Sequence, residues 1–197
     1  MLYRVGGLLI VVASVGFGLL FVLAQAGQPV DALDNPLYAG LFYVPAVAGS
    51  FGSWWVGRHG TVQGEGVFGR FGLGVVALGL LALVVGQLMV TVIPAQGDPS
   101  SDPAYAVILC GYLAILAGAI VIGLAFIVRG GPRRLVGCLL LAGPVLFVLG
   151  FVLRAVGLTG ALLPLAGFAI LLFGWLGLGI LAARSVNGPQ PVPSDTP

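Results

Sequence analysis

Residues 105–128 read YAVILCGYLAILAGAIVIGLAFIV, a run without one charged side chain, preceded by Asp102 and closed by Arg129. About 20 apolar residues cross the hydrocarbon core of a bilayer as a helix. The run is continuously apolar, whereas a barrel strand would alternate. An isolated strand would also leave its backbone unpaired in lipid, so helix is the conformation that fits. Five more runs of this kind lie at 5–26, 37–57, 71–95, 135–156 and 161–183. The expected fold is all-α: a polytopic membrane protein, a compact bundle of six transmembrane helices with short loops, forming one domain over 1–185. Residues 186–197, which include Gly188-Pro189-Gln190-Pro191-Val192-Pro193, are expected to be a flexible Pro-rich tail.

Composition points the same way. The 197-residue chain is 59% hydrophobic and 7% charged, too few ionised groups to cover a soluble domain of this size. Its apolar surface must face lipid, so the bilayer itself is the first partner. A formal net charge of +2 gives no basis for nucleic-acid binding. All eight basic residues other than His59 are arginines, which stay charged and fork onto phosphates.

The arginines also orient the chain. In a six-span arrangement Arg4, Arg58, Arg70, Arg129, Arg133, Arg134 and Arg184 share one side, and Arg154 alone takes the other, with Asp31, Asp34, Asp98 and Asp102. The positive-inside rule then puts both termini in the cytoplasm, with the plasma membrane of a prokaryote as the expected location. Trp54 and Trp55, beside Arg58, suit the cytoplasmic interface, and Tyr38 and Tyr105 the outer one. Arg4 followed by an apolar run and Ala24-Gln25-Ala26 imitates a cleaved signal peptide. The apolar run is longer than a signal core of about 7–15 residues, so a retained helix is expected.

The chain has 33 glycines, and many repeat every seven residues. Gly72, Gly79 and Gly86 do so in the third run, and Gly111 and Gly118 in the fourth. Gly143, Gly150 and Gly157 follow in the fifth, and Gly160, Gly167 and Gly174 in the sixth. Ala39, Ala46 and Ser53 make a weaker series in the second. Seven residues are nearly two turns, so each series is a stripe on one face. Such stripes let helices approach closely and hold them by dispersion. They are expected to join helices within the bundle, or to meet a membrane-protein partner or a second copy.

Three features bear on function. Pro45 and the Gly143-Pro144 pair sit well inside apolar runs and are hinge candidates. They correspond if residues 1–100 and 101–197 are inverted halves. Arg4, Arg70 and Arg134, spaced by 66 and 64 residues, suggest three tandem hairpins instead. Both symmetries stay open at this level. Next, Asp31, Asp34, Asp98 and Asp102 lie in two outer loops and are candidates for a divalent cation, although Asp, Asn, Ser and Pro are also ordinary turn residues. Finally, Arg58, His59, Arg70, Arg129, Arg133 and Arg134 are candidates for contact with lipid headgroups. The glycine-rich stretch from Gly57 to Arg70 is expected as a loop between them.

No Asp, Glu, Lys or His falls inside an apolar run, which leaves no proton relay or ion-coupling carboxylate there. No nucleophile has a base beside it, and no His/Cys cluster is available for a metal. Neither a cofactor nor catalysis is expected. Ser14, Ser50, Gln87 and Thr91 are expected to bond between helices. Cys110 and Cys138 fall at different depths, too far apart for a disulfide, and read as small packing residues. The expected role is a non-catalytic structural or partner-binding membrane subunit. The alternative is a small transporter or channel for a neutral or weakly charged solute, with a path near Pro45 and Pro144.

Overall fold

The computed structural model describes residues 2–25, 36–59, 66–92, 103–131, 133–158 and 162–184. They form six α-helices: α1 (Leu2–Gln25), α2 (Pro36–His59), α3 (Gly66–Val92), α4 (Pro103–Arg129), α5 (Arg133–Ala155) and α6 (Leu162–Arg184). Pro36 and Pro103 open α2 and α4, where a missing N–H costs nothing. Gly157, at φ 75°, stops α5. There Leu158 N–H donates to the Leu153 carbonyl at 2.9 Å and Gly157 N–H to the Arg154 carbonyl at 3.0 Å. Gly157 is therefore a helix stop and not the last rung of a glycine stripe. The acidic loops and the C-terminal tail beyond Arg184 lie outside the described residues.

Five helices are long and apolar enough to cross a membrane. The sixth, α2, has 24 residues but is diluted by Tyr38, Tyr43, Ser50, Ser53, Trp54 and Trp55. It nonetheless lies along α1, from Gly6 against Val56 to Phe17 against Phe42. The third helix starts at Gly66, five residues before the expected 71, so Gly69 and Arg70 belong to a helix and not to a glycine-rich loop.

The helices form a closed ring in chain order: α1 packs on α2, α2 on α3, and so on to α6, which returns to α1. Seven arginines lie at one end of this ring and Arg154 near the other. Glycine is what brings the backbones together. A Cβ on Gly79 would stand 2.8 Å from the Gly111 carbonyl oxygen, and one on Gly118 2.7 Å from that of Gly72. Real Cβ contacts are not that short, so leucine or even alanine would push α3 and α4 apart. Gly150 against Pro164, Gly167 against Phe147 and Gly143 against Leu171 join α5 to α6 in the same way.

The pattern repeats along the chain. Within the first two hairpins, Gly52 faces the Gly6 carbonyl and Gly118 that of Gly72, and the second pair follows the first by 66 residues. Between hairpins, Gly57 meets Leu73 (3.2 Å), Gly123 meets the Gly137 carbonyl (2.8 Å) and Gly179 meets that of Gly7 (2.9 Å). All three of these contacts lie in the arginine half of the ring. The 66-residue spacing relates the first hairpin to the second, and these contacts cinch the hairpins together at one end.

Candidate functional site

At the arginine end the axis of the ring is filled. Val56, Leu73, Ile122, Leu140, Leu178 and Ala182 are fully buried, and Phe126 is 1% exposed. Towards the Arg154 end the side chains stand back around a cavity of about 850 Å³ lined by all six helices. Its walls run from Ile10 to Phe21 on α1 and from Trp175 to Pro164 on α6. Eleven residues at ~1.5 Å each make it about 16 Å deep. The lining is almost wholly leucine, isoleucine, valine and aromatic carbon. Six of the eleven phenylalanines line it: Phe17, Phe21, Phe42, Phe147, Phe151 and Phe168.

Aromatic pairs brace the α1 side. Phe17 meets Phe42 of α2 edge-on at 6.3 Å, and Phe21 meets Phe168 of α6 at 5.2 Å. The α4 and α5 walls differ. Leu109, Tyr112 and Leu113 on α4, and Val148, Phe151 and Val152 on α5, line the cavity while remaining 43–59% exposed. Leu80, Leu83 and Leu171, on other walls, are at most 7% exposed.

Polar groups in the lining are few. Ser14 Oγ donates to the carbonyl of Ile10 in its own helix at 2.9 Å. Ser53, on the floor, is 1% exposed, and its hydroxyl has no hydrogen-bond partner among the described residues. A buried hydroxyl left unpaired costs about 1–3 kcal/mol. Arg154 contributes to the rim.

The residues singled out from sequence are scattered around this cavity. Pro45 is buried against Gly16 of α1. Gly143 is packed on Leu171 and Pro144 is fully buried, and both α2 and α5 continue through their prolines. None of these three lines the cavity. Asp31, Asp34, Asp98 and Asp102 lie outside the described residues, among which no group of His, Cys, Asp and Glu could hold a metal. At the arginine end, Arg58 stacks over Trp54 at 5.2 Å, and His59 Nδ1 lies 3.0 Å from the Trp55 carbonyl. The Arg129 guanidinium folds over the Gly66 backbone. Arg70 and Arg134 are exposed and Arg133 half-buried.

Two expectations about small polar residues need correction. Ser14 and Thr91 bond back onto the carbonyls four residues earlier in their own helices, so of the bonds described only Ser50 Oγ to the Ala77 carbonyl (2.9 Å) crosses between helices. Cys110 and Cys138 are free and exposed, and do not pack inside the ring. The apolar runs give no direct sign of the cavity. Its one signal in the sequence is the gathering of phenylalanines in the Arg154 halves of α1, α2, α5 and α6.

Fold and site together define a membrane-embedded helical bundle with an internal apolar chamber. No protein-family model, curated protein or solved structure matches the chain.

Proposed function

We propose that this chain is a non-catalytic membrane protein that holds an apolar molecule inside its ring of helices. The observation that carries this reading is the 850 Å³ cavity, within the size range of ligand sites and walled by hydrocarbon. Apolar pockets with a few polar groups are the usual shape of sites for hydrophobic ligands. Binding is favoured over passage of a neutral solute because Pro45 and Pro144 sit in helix contacts away from the cavity. The positive-inside rule assigns the arginine end to the cytoplasm, which puts the chamber in the opposite leaflet. Reporters fused at Gly97 and Gly188 should then read opposite sides, and matching sidedness would refute this orientation.

Gly18, Gly40 and Gly74 have nothing within 4 Å of where a Cβ would stand. Such bare helix positions suit close approach by a second membrane protein, so the subunit reading stands beside ligand binding. The test is native mass spectrometry of protein released from mild detergent. The unmodified chain should carry a bound apolar molecule. The double variant Leu20→Trp/Leu165→Trp, which crowds the chamber from α1 and α6, should carry less of it while staying folded. A folded chain with nothing bound in either form would overturn the reading.

A further inference from the structure

We propose that the chamber is loaded sideways, between α4 and α5, by one hydrocarbon chain of an anionic membrane lipid whose phosphate engages Arg154. This rests on the ligand-holding role above and names its ligand class and route. Three independent features lead to it.

The first is where the ring is open. Cavity-lining residues on α1, α2, α3 and α6 are buried or half-buried, but those on α4 and α5 include Leu109 (59% exposed), Leu113 (56%), Val148 (48%) and Val152 (55%). A side chain that belongs both to the chamber wall and to the outer surface marks a gap in that wall. The helix geometry supplies the cause. The glycine contact between α4 and α5, Gly123 on Gly137, lies in the arginine half, whereas Gly143 and Gly150 turn towards α6. Nothing of that kind draws α4 and α5 together towards Arg154. The gap faces the surroundings of a membrane-embedded bundle, so what reaches it first is lipid.

The second feature is length. The chamber is about 16 Å deep, close to half of a ~30 Å hydrocarbon core. A lipid chain of the adjacent leaflet covers that same depth. It can slide in beside α4 and α5 without leaving its own level in the bilayer.

The third is charge. Arg154 closes α5 at the rim of the cavity, while the other seven arginines lie at the far end of the ring. An arginine at the interface, beside an apolar slot one leaflet deep, matches a lipid with an anionic phosphate head and a hydrocarbon tail. A zwitterionic lipid would offer the same tail with a weaker net attraction.

The test uses the full chain with Trp54→Phe and Trp55→Phe, leaving Trp175 on the chamber floor as the only tryptophan. The protein is placed in phosphatidylcholine vesicles containing phosphatidylglycerol or phosphatidylcholine with brominated chain ends, and bromine quenches Trp175 on contact. Quenching should favour phosphatidylglycerol by about fivefold in apparent affinity, the equivalent of ~1 kcal/mol for one arginine near an anionic surface. Arg154→Gln should abolish the preference and Arg154→Lys should restore most of it. Leu113→Phe/Val148→Phe, which narrows the gap, should cut quenching by either lipid. Equal quenching by both lipids would overturn the anionic assignment while leaving the chamber as a hydrocarbon site. Undiminished quenching in the narrowed variant would overturn the lateral route. Quenching by a neutral brominated alkane but by neither lipid would refute the lipid proposal and preserve the ligand-holding role. Silence from all three probes would refute both.

Discussion

In the arginine half of the ring, Val56, Leu73, Phe126, Leu140 and Leu178 meet on the axis and exclude everything else. In the other half the same six helices stand around an 850 Å³ space, with phenylalanine rings in place of a filled centre. Hydropathy does not distinguish the halves, since both are strongly apolar. What differs is where glycine permits neighbouring hairpins to touch. Gly57, Gly123 and Gly179 make their close contacts near the arginine end, and hairpins joined there are free to part towards the other. In lipid, helix association depends on packing because the tails are as apolar as the helices. A ring pinned at one end therefore has no general hydrophobic force to close it at the other.

The sharpest way to break this comparison is to unpin a contact. Gly123→Leu would drive a side chain into the Gly137 carbonyl and the Leu141 backbone, neither of which can yield. Overpacking of this kind costs about 1–3 kcal/mol and occasionally more. The thermal transition in detergent should fall by the largest amount seen at any of the sites tested. Gly74→Leu, two residues from Gly72 but with nothing within 4 Å, should be silent. Equal effects at both positions would mean that the glycines act through helix propensity and not through contact.

A second, smaller effect compares truncations in the two halves. Leu140 is fully buried at the sealed end, and Leu140→Ala should cost about 2 kcal/mol through lost packing. Leu165 borders the cavity, already lacks neighbours on one side, and on mutation to alanine should cost well under ~1 kcal/mol. If the Leu165 variant proves as unstable as the Leu140 variant, a tightly held ligand fills the chamber during the measurement. Delipidated protein would then show the difference.

The smallest effect belongs to Ser53. Its buried, unpartnered hydroxyl predicts that Ser53→Ala raises stability by about 1 kcal/mol, since the change removes a desolvated polar group and little volume. A drop in stability, or a loss of bound ligand, would show that the floor hydroxyl is paired in the loaded protein. The ligand would then carry a polar atom at its buried end.

Much of this architecture was legible in advance, for reasons that particular residues make plain. Arg129 and Arg184 end helices where the apolar runs end, because a guanidinium cannot follow the helix into hydrocarbon. The stripes at Gly72–Gly79–Gly86 and Gly111–Gly118 face one another as their seven-residue period implied. Gly66 and Gly69 resemble loop residues in isolation, so the apolar run alone puts the start of α3 too late. In the fold Gly66 begins the helix with the Arg129 guanidinium across it, and Gly69 is buried. Gly157 kept the period of a stripe while acting as a stop, a distinction that depends on φ and not on spacing.

The residues taken in order already make the chain a helical membrane protein of six helices, with positive charge gathered at one end and glycine along certain faces. Those properties follow from the solvation of single side chains and from helical periodicity, both of which are local. The tertiary structure alone decided that the six helices close into a ring, that its hairpins are pinned at one end, and that a chamber with exposed α4 and α5 walls forms at the other. A cavity is a property of the distances between helices, set jointly by contacts far apart in the chain, and no single apolar run contains it.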